Sequence, residues 1–304
     1  MDIFVTPRSS QCWICDSADL QLAKASSNTT RLTSRNFSIT DSHYGITEAI
    51  YRCPRCEFLQ CSDITGVVKF YEELEDSAYE AGREERGLHA YKLLEVAKEL
   101  QPGGRLLDVG AGSGMLVEQA LRMGYRAEGI EPSAWLQKIA QQRGLSVHLG
   151  TFPHPSVTGR FEVITLIDVI EHVTNPVELL HEIAGSLSPG GIALIVTPDL
   201  DSAAARIMGW KWWHFRVAHI GYFNMRSLYL ALDRAGLQPV FRKRPGWFFS
   251  ATYLWERVHR YLPEALRLGP PRLLSKVVIP INLHDSWLVA CRHKPQCSAA
   301  NKVP

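Results

Sequence analysis

A glycine-rich turn and an acidic residue within residues 105–135 have the types and spacing needed to bind a nucleoside. Gly110, Gly112 and Gly114 follow a short apolar run and precede a helical pattern, which predicts a strand, a turn and a helix. A second predicted strand ends at Glu131. A carboxylate at the end of the second strand of a βαβ unit is placed to accept hydrogen bonds from ribose hydroxyls. The stretch therefore predicts a nucleoside-bearing cofactor.

The glycine spacing favours a cationic cofactor over a dinucleotide. The turn has the pattern GxGxG, whereas the dinucleotide fingerprint GxGxxG places its third glycine later, where it lets the helix close on a pyrophosphate. Asp108 stands two residues before the turn. Its carboxylate would repel a pyrophosphate and attract an ammonium or sulfonium group. We therefore expect a cofactor that carries positive charge.

Three polar side chains follow the predicted fourth strand, residues 161–167, at the edge where ligands bind in open α/β sheets. Asp168, Glu171 and His172 would share one face if the chain is helical there. Two carboxylates and an imidazole make either an acid/base site or part of a metal site, and His219 is a further candidate after the fifth strand. The alternative is that Glu171 pairs locally and His172 packs under the sheet edge.

Four cysteines have the spacing of a metal site. Cys12 and Cys15 form one CxxC pair, Cys53 and Cys56 form a second, and 37 residues separate the pairs. Four thiolates can hold zinc at tetrahedral geometry, although the usual spacer is about 15–20 residues, so an inserted loop is required. Disulfides are the alternative, but a cytoplasmic chain keeps its thiols reduced. We predict a structural zinc ribbon without a catalytic role.

The motif LLDVGAGSG at 106–114, with Glu131 ending the next strand, and FEVITLIDVIEHV at 161–173 resemble class I S-adenosylmethionine-dependent methyltransferases. The resemblance extends over about residues 85–294. It implies that the three glycines pass close to the amino-acid part of the cofactor and that Glu131 holds the ribose hydroxyls, with Asp108 in support.

The same resemblance implies two further cofactor contacts, an adenine contact at Phe152 and a contact at Asp168. Filling the core is the alternative role of Phe152.

The acidic and histidine pattern that begins at Asp168 also resembles metal-assisted O-methyltransferases, namely the ubiquinone-pathway enzymes and the small-RNA 3′-end enzymes. This likeness implies a divalent ion that binds two neighbouring acceptor oxygens and lowers the pKa of the one to be methylated. In this sequence Asp168 replaces the glutamate that begins their pattern. Without an ion, His172 or His219 would act as the general base, with Glu171 beside it. The cysteine module is similar to the N-terminal zinc modules of some sugar C-methyltransferases.

We therefore predict an α/β fold, a Rossmann-like seven-stranded methyltransferase sheet with a small N-terminal zinc ribbon. The zinc-ribbon-like module is expected at residues 9–62, a connector at 63–86 and the methyltransferase domain at 87–294. A basic aromatic insertion occupies 246–284, and residues 295–304 are expected to be disordered.

Charge is distributed unevenly along the chain. The net charge is +2, yet residues 1–200 carry 17 Lys and Arg against 26 Asp and Glu, and residues 201–304 carry 16 against 5 with six of the eight tryptophans. This basic aromatic third favours an anionic partner. We expect a small or carrier-linked biosynthetic acceptor, methylated on oxygen in preference to carbon. A nucleic-acid methyltransferase is the second hypothesis, and a non-catalytic protein is the third.

The insertion suggests how such an acceptor could be covered. Its aromatic and arginine residues suit a lid over the acceptor or, through residues 251–281, a peripheral contact with a membrane surface. The sequence shows neither a leader pattern nor about 18 consecutive apolar residues, so a cytoplasmic location is expected.

Overall fold

The computed structural model describes residues 11–41, 43–61, 64, 66–259, 269, 271, 273–274 and 277–295, so the tail predicted to be disordered lies outside the described residues from residue 296 onward. The strands are β1 Gln21–Lys24, β2 Ile50–Arg52, β3 Leu59–Gln60, β4 Arg105–Val109, β5 Arg126–Glu131, β6 Val147–Leu149, β7 Phe161–Ile167, β8 Leu187–Pro198, β9 Gly221–Tyr222, β10 Leu237–Lys243, β11 Trp247–Ser250, β12 Val278–Ile281 and β13 Ser286–His293. The helices are α1 Val67–Glu72, α2 Ser77–Ala81, α3 Arg83–Leu100, α4 Met115–Arg122, α5 Ala134–Gln142, α6 Pro176–Ser186, α7 Ala203–Met208, α8 Met225–Arg234 and α9 Ala251–His259, with short 3-10 helices at Ser34–Phe37, Ile170–His172 and Gly209–Lys211.

Seven strands form the central sheet in the order β10-β13-β8-β7-β4-β5-β6. Strands β4 to β8 pair in parallel, and β13 lies antiparallel between β8 and β10. The central strands are buried on both faces, which their β-branched apolar runs predict. This arrangement confirms the predicted fold class, an α/β fold with a Rossmann-like seven-stranded sheet.

The parallel strands all end at one edge, which we call the carboxyl edge. The glycine turn follows β4 there, Glu131 ends β5, Asp168 follows β7 and Asp199 follows β8. Because β13 runs in the opposite direction, Asp285 reaches the same edge immediately before β13 begins. Residues far apart in the sequence therefore meet at one side of the sheet.

Helices cover both faces of the sheet. Helices α3 and α4 bury apolar residues in one core, whereas α6 and α8 pack in the other. Helix α3 begins at Arg83, within the predicted connector, because Glu84 and Glu85 in its first turn complement the positive end of the helix dipole. The connector is thus largely helical, with α1 and α2 ahead of α3.

The cysteine segment shares a sheet with the chain that follows β8. Strands β1, β2, β3 and β9 form a small antiparallel sheet, in which Leu59 pairs with Tyr222 and Gln60 with Gly221. Phe58 is fully buried against Phe223, with ring centroids 4.8 Å apart. The module therefore packs into the same core as the central sheet, and its boundary at residue 62 stays a prediction.

The basic aromatic insertion contributes a β11–β12 hairpin and helix α9. The hairpin is fastened to α3 by His89, whose Nε2 contacts both the backbone nitrogen and the carbonyl oxygen of Phe248. Burial lowers the pKa of His89 to about 4, so the ring is neutral at this contact. Residues 260–268 of the predicted membrane contact lie outside the described part.

Candidate functional site

The turn after β4 needs glycine for its backbone conformation. Gly110, Gly112 and Gly114 have φ angles of 77°, 55° and 76°, a region that side-chain-bearing residues rarely adopt. The turn closes on β5, because the amides of Gly110 and Ala111 both donate to the carbonyl oxygen of Ile130 at 2.9 Å. The turn therefore lies against the end of β5.

Glu131 ends β5 directly beneath this turn. Its Oε2 accepts from the amide of Gly112 at 2.7 Å and its Oε1 accepts from the amide of Ser133 at 2.8 Å. Burial raises the pKa of Glu131 to about 7, although both hydrogen bonds oppose that shift. The predicted ribose-binding carboxylate is thus fixed by two backbone donors.

Asp108 lies inside β4, below the turn. It is buried, and its Oδ1 accepts from the hydroxyl of Thr165 on β7 at 2.6 Å. Burial raises the pKa of Asp108 to about 7, with a smaller contribution from the Glu131 charge. The side chain therefore joins two central strands beneath the turn, and its support of a cofactor stays a prediction.

The connector closes over the turn from above. A Cβ on Gly112 would lie 2.6 Å from the hydroxyl oxygen of Tyr79, and the guanidinium of Arg86 lies 4.3 Å from the centre of the Tyr79 ring. Arg83 donates to the hydroxyl of Ser113 at 2.9 Å and to its carbonyl oxygen at 3.2 Å. Arg83 and Arg86 are not among the residues predicted from the sequence.

Asp168 does not begin a helix, which corrects the expectation that Asp168, Glu171 and His172 share a helical face. Its φ angle is 53°, its amide donates to the carbonyl oxygen of Val196 at 3.0 Å, and the following 3-10 helix covers only Ile170–His172. The residue is exposed, yet desolvation by the surrounding protein raises the pKa of Asp168 to about 6. Such a strained residue at the carboxyl edge is typical of a functional position.

Glu171 points inward from the 3-10 helix. Its Oε2 accepts from the hydroxyl of Thr197 at 3.0 Å, and its Oε1 is buried without a hydrogen-bond partner among the described residues. Burial, followed by the nearby charge of Asp168, raises the pKa of Glu171 well above its usual range.

His172 has a defined tautomer. Its Nδ1 lies 2.7 Å from the carbonyl oxygen of Ala218 and 2.6 Å from the hydroxyl of Tyr71. Because a carbonyl oxygen can only accept, the ring proton belongs to Nδ1, and Nε2 is left with a lone pair. Burial lowers the pKa of His172 to about 4, so the ring is neutral.

The structure brings His219 to the same place from a distant part of the chain. Its ring meets the His172 ring edge-on at 4.8 Å, and its Nδ1 is buried without a hydrogen-bond partner among the described residues. Burial lowers its pKa well below the usual range. One ligand atom each from Glu171, His172 and His219 lies within 4.8 Å of the others. The acid/base candidates are therefore assembled, and a divalent ion among them stays a prediction.

Phe152 lies in the core of the protein. Only 4% of its surface is exposed, and it packs in the cluster that also contains Val109 and Ile130. This is the core-filling role that the sequence analysis weighed against adenine stacking. Its contact with a cofactor stays a prediction.

The four predicted metal-ligating cysteines converge on one point. The Sγ atoms of Cys12 and Cys56 lie 3.4 Å apart, those of Cys15 and Cys53 lie 3.5 Å apart, and all four are within 4.8 Å of one another. Tetrahedral zinc with thiolates at about 2.3 Å requires sulfur separations of about 3.8 Å, whereas a disulfide requires about 2.05 Å. The cluster therefore has the dimensions of a metal site and holds free thiols.

Both cysteine pairs form the same tight turn. Asp16 and Glu57 follow the second cysteine of each pair with φ angles of 57° and 67°. The amide of Asp16 donates to the carbonyl oxygen of Cys12 at 3.0 Å, and that of Glu57 donates to the carbonyl oxygen of Cys53 at 2.8 Å. The repeated geometry presents the four sulfurs to a common centre.

The strand order, the glycine turn after β4 and the buried acid ending β5 together define an α/β protein of the class I methyltransferase type. Residues 82–240, more than half of the chain, match the family model described as a methyltransferase domain. The chain belongs to this family.

Several relatives carry the name ubiquinone biosynthesis O-methyltransferase. One from Cereibacter sphaeroides is 32% identical over 157 residues, which cover 46% of this chain and 63% of the relative. One from another strain of the species is 32% identical over 177 residues, which cover 53% of this chain and 70% of the relative. One from Xanthomonas campestris pv. campestris is 29% identical over 138 residues, which cover 41% of this chain and 58% of the relative. The chain thus spans less than two thirds of the length of the first and third of these relatives.

Solved structures of methyltransferases also resemble this chain. A S-adenosylmethionine-dependent methyltransferase from Thermotoga maritima, described as a possible histamine N-methyltransferase, has a TM-score of 0.45 at 19% identity, covering 71% of this chain and 95% of its own. An S-adenosylmethionine-dependent methyltransferase from Mesorhizobium loti has a TM-score of 0.46 at 17% identity, and the match covers 67% of this chain and 98% of that protein.

Proposed function

We propose that this chain transfers the methyl group of S-adenosylmethionine to an oxygen of a small or carrier-linked biosynthetic acceptor. The observation that carries the proposal is the buried carboxylate of Glu131, which accepts from the Gly112 amide directly under the glycine turn. Oxygen is preferred over carbon because the relatives at about 30% identity are named O-methyltransferases.

The described residues fit this cofactor. The left-handed glycines let the backbone come close to it, and Glu131 presents oxygen acceptors to ribose hydroxyls. Asp168 offers a carboxylate at the open carboxyl edge. The cofactor supplies a methyl group on a positively charged sulfur, and a direct displacement from it needs alignment more than covalent chemistry. The chain's part is therefore to hold and orient both reactants.

The cluster of Glu171, His172 and His219 could form hydrogen bonds with an acceptor hydroxyl. His172 can accept through Nε2. Burial raises the pKa of Glu171 well above its usual range, which opposes the ionised form that ligates a divalent ion. The catalytic roles of these three residues stay predictions, with the ion-free arrangement preferred.

Two arginines at the carboxyl edge support an anionic acceptor. Arg86 stacks on Tyr79 above the glycine turn, and Arg244 lies 3.6 Å from the centre of the Trp287 ring while pairing with Asp199. Stacking leaves the charge of a guanidinium group intact, but the donors of Arg244 already bond Asp199 and the carbonyl oxygen of Ser286, so the support comes mainly from Arg86. A nucleic-acid partner has no comparable support among the described contacts.

The cysteine cluster supports a structural zinc ion. The four sulfurs and two matching turns leave no position for a substrate in a tetrahedral site, so the ion would stabilise the fold without taking part in catalysis. The contact between the sulfur atoms of Cys12 and Cys56 lowers the pKa of Cys12 to about 5, although burial opposes the shift. A thiolate is therefore present at neutral pH, which is the form that binds zinc.

Peripheral membrane contact through residues 251–281 stays a prediction. Val277, Val278 and Ile279 are each more than a third exposed, which gives the insertion an apolar outer surface. Within the described part of the chain, no helix combines the length and apolarity required to cross a membrane. The cytoplasmic location likewise stays a prediction.

The proposal is tested by binding of S-adenosylmethionine to Glu131→Gln, measured by calorimetry. A hydrogen bond to a charged group contributes about 1.5–3 kcal/mol, so the affinity is expected to fall about 10- to 100-fold. Glu128→Gln is the matched control, since Glu128 also lies on β5 but pairs with Arg105 and His148 on its flanks. Wild-type protein that does not bind S-adenosylmethionine, or equal affinities for the two variants, would overturn the proposal.

A further inference from the structure

A histidine and an aspartate outside the predicted site meet at the carboxyl edge. His214 lies in the loop after the 3-10 helix Gly209–Lys211, and Asp285 immediately precedes β13. The amide of Asp199, at the end of β8, donates to the carbonyl oxygen of Asp285 at 2.8 Å. Asp285 is therefore held where the parallel strands end.

The contacts of Asp285 orient the His214 ring. The Oδ2 atom of Asp285 accepts from Nε1 of Trp213 at 2.7 Å and lies 3.3 Å from Nε2 of His214. Burial pushes the pKa of Asp285 upward, but the His214 and Trp213 contacts outweigh it, so the carboxyl is ionised. An ionised carboxylate only accepts, so Nε2 of His214 carries the ring proton and Nδ1 presents a lone pair.

His214 belongs to the same constellation as the predicted acid/base residues. Its ring stacks on His219 with centroids 5.4 Å apart, and a proton gained by His214 would lower the pKa values of Asp168, His172 and His219. His214 is half-buried, whereas His219 is buried. Of the two stacked rings, His214 is therefore the more accessible to a reactant.

We propose that His214, oriented by Asp285, is the general base that accepts the proton of the acceptor hydroxyl. The proposal rests on the function proposed above. Nδ1 of His214 takes the hydroxyl proton, the acceptor oxygen forms the new bond to the methyl carbon, and the sulfur keeps the electron pair of the broken bond. The imidazolium then releases its proton to water, so the carboxylate of Asp285 stabilises a cation that exists only during turnover.

This assignment differs from the expectation of His172 or His219 as the base. Burial lowers the pKa values of both of those rings, and His219 is buried whereas His172 is half-buried. His172 also uses Nδ1 to donate to the carbonyl oxygen of Ala218. Asp285 gives His214 the carboxylate partner that a catalytic imidazole requires, and it acts as a positioning residue because its own contacts are with the protein.

The first experiment needs no acceptor. In wild-type protein at pH 8, the ring ¹⁵N chemical shifts of His214 should report a proton on Nε2 and a lone pair on Nδ1, and S-adenosylhomocysteine should shift both signals. Asp285→Asn should convert this single tautomer into a mixture. A wild-type ring with its proton on Nδ1, or a tautomer unaffected by Asp285→Asn, would overturn the proposal.

The second experiment measures methyl transfer to catechols, phenols and aliphatic alcohols in the presence of a chelator. His214→Gln should lower kcat about 100-fold, most for the least acidic hydroxyls, with the acceptor KM within threefold of wild type. Asp285→Asn should change the pH profile of kcat, and His181→Gln on α6 is the matched control for an exposed histidine.

Calorimetry with S-adenosylhomocysteine separates the two proposals. Wild-type protein that does not bind it contradicts the proposed function. Binding by all variants, with kcat and its pH profile unchanged in His214→Gln, contradicts the role of His214 alone. If no acceptor of the panel is methylated, the tautomer measurement decides.

Discussion

The contact between Gly112 and Tyr79 offers a sharp test of how the connector closes over the glycine turn. At Gly112, an added Cβ would lie 2.6 Å from the Tyr79 hydroxyl oxygen and 3.2 Å from its Cζ, in a backbone with φ of 55°. At Gly124 the φ angle is 87°, but an added Cβ would meet nothing within 4 Å. Gly124→Ala therefore reproduces the backbone strain of Gly112→Ala without its clash.

The expected losses of stability follow from two contributions, the backbone strain and the clash with Tyr79. Forcing alanine into the left-handed region costs about 1–2 kcal/mol at either position. A clash that the surroundings must absorb adds about 1–3 kcal/mol. Tyr79 cannot move freely, since Arg86 stacks on its ring and its amide donates to Asp76 at 2.9 Å. Gly112→Ala should thus lose about 2–5 kcal/mol and Gly124→Ala about 1–2 kcal/mol.

The free energy of unfolding, measured in urea, and calorimetry with S-adenosylmethionine give the readouts. Tyr79→Phe removes the nearest atom and should restore part of the stability of Gly112→Ala while leaving Gly124→Ala unchanged. Cofactor affinity should fall only in Gly112→Ala, because the Gly112 amide holds Glu131. Equal losses for the two alanine variants, with no rescue by Tyr79→Phe, would refute the reasoning.

Three further perturbations follow from the structure. Cys53→Ser should reduce the bound zinc from about one equivalent to none in a dye titration. The control Cys291→Ser lies outside the cluster and should retain the zinc. A Cys53→Ser protein that still binds zinc would contradict the predicted zinc ribbon. Burial raises the pKa values of Asp108 and Glu131, so the folded state binds protons that the unfolded chain has released, and this contribution to stability is lost as pH rises from 5 to 7.5 without cofactor. The lowered pKa values of His89, His172 and His219 act in the opposite direction, so the test is the difference between two proteins. Relative to wild type, Asp108→Asn should gain stability in urea as pH rises over this range, and parallel profiles for the two proteins would argue against the shift. Anionic vesicles should co-sediment wild-type protein and release Ile279→Glu; equal retention of both proteins would rule out β12 as the contact surface.

The local spacing of residue types was sufficient to predict most of the candidate cofactor-binding residues. Gly110, Gly112, Gly114 and Glu131 lie on one short βαβ unit, whose turn and strand ends are determined by nearby residues. For the same reason the residues that follow each central strand could be placed at one edge. The expected helix at Asp168 was wrong, because a hydrogen bond to Val196 on the adjacent strand holds Asp168 in a left-handed conformation.

The amino-acid sequence by itself determined the class of fold, the glycine turn, the paired cysteines and the set of polar residues at the strand ends, since these depend on short-range patterns of residue type. Only the tertiary structure decided which side chains reach one another across the carboxyl edge. Asp285 meets His214 because β13 enters the sheet antiparallel, and Tyr79 covers Gly112 because α2 packs on the turn. Burial, which sets the pKa values of Glu171 and His172, likewise exists only after the layers have packed.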